Sequence, residues 1–206
     1  MEISKQREWL NDYLFNLSNE VKYKDVKILH IGKSKTWDYR SMFTNGHSKD
    51  KAKCQFIESD IDYSLRPQVL DDICNSKFKD NEFDYVIFNG VFEQIRSKGG
   101  VGFINKKTGI KNGISSIETR KLVRQALKEI YRILKSGGVL IAGITGIAYP
   151  VYGDGTTDTG LRTTPDEFTD KYMRGVWVKD ELIKFYRDNE NEAGLQYFYL
   201  IIKNLK

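Results

Sequence analysis

Two segments of this chain carry polar side chains at the ends of apolar runs, where a sheet can build a binding site. The first is Phe83-Asp84-Tyr85-Val86-Ile87-Phe88-Asn89-Gly90-Val91-Phe92-Glu93-Gln94-Ile95. Its apolar run reads as a buried parallel strand. Asn89 and Gly90 then fall just past the strand's carboxyl end, where open α/β sheets bind ligands. The second is Phe56-Ile57-Glu58-Ser59-Asp60-Ile61-Asp62-Tyr63. An acid at the end of a second strand can accept both hydroxyls of a ribose. Asp60 is the candidate and Asp62 the reserve; a loop carboxylate in water is the plain alternative.

The elements that must position these residues alternate in type. Residues 3–19 place Ile3, Leu10, Tyr13, Leu14 and Leu17 at helical spacing. Strands are expected at 26–31, 54–58, 84–88, 139–145 and 195–202, and an amphipathic stretch at 39–43. A helix is expected over 119–134, with Leu122, Val123, Ala126, Leu127, Ile130 and Leu134 on one face and Ser136-Gly137-Gly138 as its stop. A second helix is expected over 178–187, with Thr164-Pro165 marking an earlier helix start. Two long loops interrupt the pattern, 96–118, rich in glycine and lysine, and 146–165, rich in glycine, threonine and aspartate. The alternation implies an α/β fold with a doubly wound, mostly parallel sheet flanked by helices. One domain spans 1–206, opened by an N-terminal helix within 1–22.

The bulk numbers agree with that reading. The chain has 206 residues, 40% hydrophobic and 30% charged, which suits one soluble globular domain rather than a disordered one. Its net charge of +5 is mild, and the basic residues are scattered among acids, so charge alone disfavours nucleic acid as a partner. Cys54 and Cys74 lack metal-ligand spacing and read as buried thiols of a reducing compartment. No metal site is expected. Neither a signal peptide nor a membrane span is visible, so a cytoplasmic location is the default expectation.

Five segments, in order and spacing, resemble class I S-adenosylmethionine-dependent methyltransferases. The first, Val26-Lys27-Ile28-Leu29-His30-Ile31-Gly32-Lys33-Ser34-Lys35-Thr36-Trp37-Asp38, stands where the family has acidic-x-Gly-x-Gly-x-Gly. Gly32 matches; His30, Ser34 and Thr36 replace the acid and the later glycines. Glycine allows a close backbone approach that larger residues make harder. The others are the segment around Asp60, Val69-Leu70-Asp71-Asp72-Ile73-Cys74, the segment around Asn89, and Ala126–Leu140 with its Gly137-Gly138 turn. The resemblance covers 24–146 and the 165–187 region.

It implies S-adenosylmethionine as cofactor. Gly32 and Ser34 would line its loop, and His30 would touch its amino-acid end. Asp60 would hold the ribose, Asp72 the adenine amine and Ile73 the adenine ring, and Asn89 and Gly90 would form the wall. Asp72 as a cap of a short helix is equally compatible with the residues. The family's seven-stranded sheet ends in a hairpin, whereas only 195–202 reads as a strand after the last helix.

On the acceptor side a base within hydrogen-bond reach is needed for a hydroxyl. The candidates are His47, in a polar loop, and Asp154, in loop 146–165. Asp154 and Asp158 can also bind sugar hydroxyls, ligate a hard cation or stabilise turns. The polar loop with Tyr149 and Tyr152 favours a hydroxylated small-molecule or glycan acceptor, and hence O-methylation. Two alternatives stay open: a non-catalytic binding or scaffold module, and a nucleic-acid methyltransferase using loop 96–118. That loop reads equally as a lid or as a surface insertion.

Overall fold

The computed structural model describes residues 5–33, 38–44, 53–92, 95, 116–145, 164–173, 177–186 and 195–205. Its elements run α1 (Lys5–Val21), β1 (Lys27–Ile31), α2 (Arg40–Thr44), β2 (Gln55–Asp60), β3 (Val69–Leu70), β4 (Phe83–Asn89), α3 (Ser116–Ile133), β5 (Leu134–Thr145), α4 (Pro165–Tyr172), β6 (Trp177–Tyr186) and β7 (Leu195–Asn204). Short 3-10 turns occupy Tyr63–Leu65 and Ile73–Asn75. The seven strands form one sheet in the order β3-β2-β1-β4-β5-β7-β6. The first five pair in parallel, β7 is antiparallel to β5, and β6 is antiparallel to β7. The doubly wound sheet expected from the sequence is therefore present, and it ends in an antiparallel strand pair.

Strand periodicity divides the core into two layers, because successive side chains point to opposite faces. On one face Leu29, Ile31, Val86, Phe88, Leu140, Ala142, Phe198 and Leu200 pack under Val123, Leu127 and Ile130 of α3 and Phe168 of α4. On the other, Ile28, Ile87, Ile141, Tyr199 and Ile201 pack under Leu10, Leu14 and Leu17 of α1 and Phe43 of α2. Both faces are covered, which explains why the central strands read as continuous apolar runs.

The helix expected over 178–187 is instead strand β6, paired with β7 along its length. The misreading has a physical source. The register steps from Lys179↔Ile202 to Glu181↔Ile201, so Asp180 is an extra residue in the ladder. A bulge of this kind shifts the alternation by one. Leu182 and Ile183, adjacent and so on opposite faces, serve the two different cores, and across the bulge the apolar residues fall at helix-like intervals. The strand missing from the sequence reading is thus β6.

The α3–β5 junction differs in detail. The chain passes from Ile133 of α3 directly into Leu134 of β5, and the Phe83↔Leu134 and Tyr85↔Val139 pairings bracket an excursion. Gly137 lies within it at φ +73°, a conformation L side chains rarely adopt.

Candidate functional site

Strands β1, β2 and β3 step one way across the sheet and β4 and β5 the other, so the order reverses between β1 and β4. In open α/β sheets such a reversal is where a ligand crevice opens, beyond the strands' carboxyl ends. Two left-handed glycines stand at its mouth, Gly32 after β1 (φ +87°) and Gly90 after β4 (φ +68°). A Cβ on Gly32 would collide with the side chain of Val91, so glycine here permits both the turn and the close approach of the β1 and β4 ends. The Gly32 main-chain N–H donates to Ser59 O at 2.9 Å, which brings the loop onto β2.

Asp60 is the last residue of β2 and is half-buried. Its carboxylate accepts from the main-chain N–H of Asp62 at 2.7 Å. Burial raises its pKa, opposed by main-chain hydrogen bonds from Asp62, Lys33 and Ile61. Beside it Ile61 is 69% exposed, an apolar surface adjoining a carboxylate at the crevice. Asp72 accepts from the Cys74 N–H at 2.9 Å and caps the turn Ile73–Asn75. Capping does not exhaust a carboxylate, which has about four acceptor positions. Ile73 is buried in the core layer that includes α3.

Asn89 ends β4. Its Oδ1 accepts from the Tyr197 hydroxyl of β7 at 2.9 Å, and its side chain lies near the Tyr39 phenol. Gly143 of β5 makes room for this cluster. A Cβ there would collide with Asn89 Oδ1 and lie 2.8 Å from the Tyr197 hydroxyl. Burial raises the Tyr39 phenol's pKa, so it stays protonated at neutral pH.

His30, two residues before Gly32, is 2% exposed. Its ring meets Tyr39 edge-on at 5.2 Å and lies 6.2 Å from Phe56. Among the described residues its Nδ1 has no hydrogen-bond partner. Burial, reinforced by the charge of Lys33, lowers its pKa to about 4, so the imidazole is neutral at pH 7.

The structure thus gathers His30, Gly32, Asp60, Asn89 and Gly90 at the ends of β1, β2 and β4, with Asp72 and Ile73 following the adjacent β3. Ser34, His47 and Asp154, together with Glu93, Gln94 and loop 146–163, lie outside the described residues. Sequence reasoning missed Lys33, Tyr39, Glu58, Ile61 and Tyr197. Glu58 left a signal, a charge at an inward position of an apolar strand that a buried partner must satisfy. Tyr197 left none, since its partner is 108 residues away.

Among the described residues, no group of three or more His, Cys, Asp and Glu side chains could hold a metal ion, and no helix is long and apolar enough to cross a membrane.

No protein-family profile matches the chain, and no curated protein matches it in sequence. Solved structures do match it in fold. The N-methyltransferase NodS from Bradyrhizobium japonicum superposes with a TM-score of 0.59 at 12% identity, covering 97% of each chain. The cyclase SpnF matches with a TM-score of 0.56 at 14% identity, covering 94% of this chain and 80% of its own. The 1,6-didemethyltoxoflavin-N1-methyltransferase of Burkholderia thailandensis, solved with 1,6-didemethyltoxoflavin and S-adenosylhomocysteine bound, matches at 0.55 and 10% identity, over 98% of this chain and 82% of its own. The chain has the fold of class I S-adenosylmethionine-dependent methyltransferases. That fold carries more than one chemistry, as a cyclase among the matches illustrates, so function rests on the site.

Proposed function

We propose that this protein is a methyltransferase that binds S-adenosylmethionine at the β1–β4 crevice and methylates a hydroxyl of a small polar acceptor, with a sugar or glycan preferred. The observation that carries the reading is the convergence of Gly32, Gly90, Asn89 and Asp60 on the crevice at the sheet's reversal point. The glycines leave backbone space, and Asp60 supplies the acceptor that a ribose diol needs. Ile61 offers an exposed apolar surface beside it. Asp72 and Ile73 would serve the adenine amine and ring, and Ser34 would line the loop. A buried neutral imidazole with an unpartnered nitrogen, as at His30, suits an N–H donor such as the cofactor's ammonium.

When bound, the cofactor supplies a sulfonium-activated methyl group for in-line transfer. The protein's part is to align the acceptor and exclude water. Tyr39, Asn89 and Tyr197 present neutral hydrogen-bonding groups toward that end of the sheet, which suits an uncharged polar acceptor. The base for a hydroxyl acceptor is assigned to His47 or Asp154. Two structural matches are N-methyltransferases, so an amine acceptor is the competing outcome of a substrate panel.

Calorimetric titration with S-adenosylmethionine and S-adenosylhomocysteine tests the reading. Saturable micromolar binding, about −7 to −8 kcal/mol, is expected. Asp60→Ala should weaken it while the fold survives. Absence of binding at millimolar ligand would discard the cofactor assignment and favour a non-catalytic binding module.

A further inference from the structure

In the family pattern resembled by this chain, glycines bring the loop after β1 close to the cofactor. Only Gly32 remains here, and the ammonium of the next described residue, Lys33, makes two polar contacts instead. Its Nζ lies 3.2 Å from Glu58 Oε2 on β2 and donates to Arg66 O at 3.1 Å. Its main-chain N–H works against the burial-raised pKa of the Asp60 carboxyl. Glu58 is buried, with 6% of its side chain exposed, and its own N–H donates to Gln68 Oε1 at 2.9 Å. Arg66 closes the turn after Asp60 in a left-handed conformation, φ 51°. Lys33 therefore joins three pieces of chain: the loop after β1, the end of β2, and the turn that follows Asp60.

Those pieces border the place assigned to the ribose. Exposed ion pairs contribute little, but here the carboxylate is buried and would be left uncompensated without its partner. The Arg66 carbonyl is held by the same ammonium, so one side chain fixes the separation between the loop and the turn.

We infer that Lys33 is a positioning residue for the cofactor, its ion pair with Glu58 and its hydrogen bond to Arg66 pre-setting the ribose pocket in place of the absent loop glycines. The inference rests on the cofactor reading above. Lys33 touches neither the methyl group nor the acceptor in this role. Backbone already held in place at Lys33 and Arg66 before binding spares the ligand the entropy of fixing it.

The test is calorimetry with S-adenosylmethionine and S-adenosylhomocysteine on the full chain, combined with thermal unfolding, for wild type, Lys33→Met and Lys33→Met/Glu58→Gln. The double variant removes the unpaired carboxylate and should recover most of the melting temperature lost in Lys33→Met. Both variants should bind each nucleoside about tenfold more weakly than wild type. Wild-type affinity in folded Lys33→Met, or its return in the double variant, would overturn the inference, since only the stranded charge would then have mattered. Should Lys33→Met not fold, the double variant decides alone. A wild type that binds neither nucleoside would instead overturn the cofactor reading, and this inference with it.

Discussion

A buried histidine is costly to ionise, and His30, whose Nδ1 has no hydrogen-bond partner among the described residues, is in that position. Burial, helped by the nearby Lys33 charge, holds its pKa at about 4, against 6.5 for the unperturbed side chain. Among groups near it, Glu58 on the paired strand is bound to Lys33, and Tyr39 stays protonated because burial raises its pKa. The unfolded chain thus takes up a proton that the folded chain refuses. With the folded pKa depressed, the stability is fully present above about pH 6.5 and is lost as pH falls toward 4. The difference corresponds to roughly 3 kcal/mol at the acid end. Urea unfolding at pH 7 and pH 4.5 should show a fall in wild type that is smaller in His30→Leu by about 2 kcal/mol, since pH 4.5 is still above the folded pKa. Equal pH sensitivity of the two proteins would mean that other groups govern the acid limb. The same side chain illustrates how far residues are legible alone. Its place at the end of β1 followed from the apolar run, but its orphaned Nδ1 depends on Tyr39 and Phe56, which no local pattern links to it.

Strands β4, β5 and β7 meet where Asn89, Gly143 and Tyr197 interlock, and this junction shapes one side of the crevice. Gly143 occupies a strand interior, where glycine commonly marks close approach of another group. Gly143→Ala would put a methyl group against Asn89 Oδ1, Tyr199 Cε1 and the Tyr197 hydroxyl. Overpacking of this kind costs about 1–3 kcal/mol. Denaturant unfolding should register that loss, and a variant as stable as wild type would show that the junction yields easily. None of this was readable from the Ile-Ala-Gly-Ile run, which marks β5 but not its neighbours. Elements with a clean period were legible: α1, α3, β1, β4 and β7 were found within a few residues of their observed ends. The two-residue β3 was too short to carry a period, and β6 hid behind the Asp180 bulge. Of the candidate site, the positions of Gly32, Asp60, Asn89 and Gly90 were legible because strand ends dictate where they fall. Lys33 and Tyr197 were not, because their partners lie on other strands or turns, and Glu58 signalled only the need for a partner, not which one.

The described residues form a sheet covered on both faces, and a ligand at the candidate site, beyond the strands' carboxyl ends, would touch the ends of β1, β2 and β4 together. Binding must then be linked to global stability, because unfolding destroys every part of the site at once. A ligand specific to the folded state adds about 2.7 kcal/mol at a hundredfold excess over its Kd. For a chain of this length each kcal/mol moves Tm by about 2–4 °C. Saturating S-adenosylmethionine should therefore raise Tm by roughly 5–10 °C, with S-adenosylhomocysteine giving a comparable shift. Lys33→Met should show a smaller shift than wild type at equal ligand concentration, since its Kd is higher while its fold is retained. RNA and DNA provide the contrast. With a net charge of +5 spread among acids, binding through phosphates should be weak and should fall steeply with salt. A nucleic-acid-induced shift that persists at 200 mM salt, with none from either nucleoside, would transfer the crevice's role to a different ligand. A shift from the nucleosides alone would place the function at the β1–β4 crevice and leave the acceptor to be found by substrate panel, with sugars tried first and amines second.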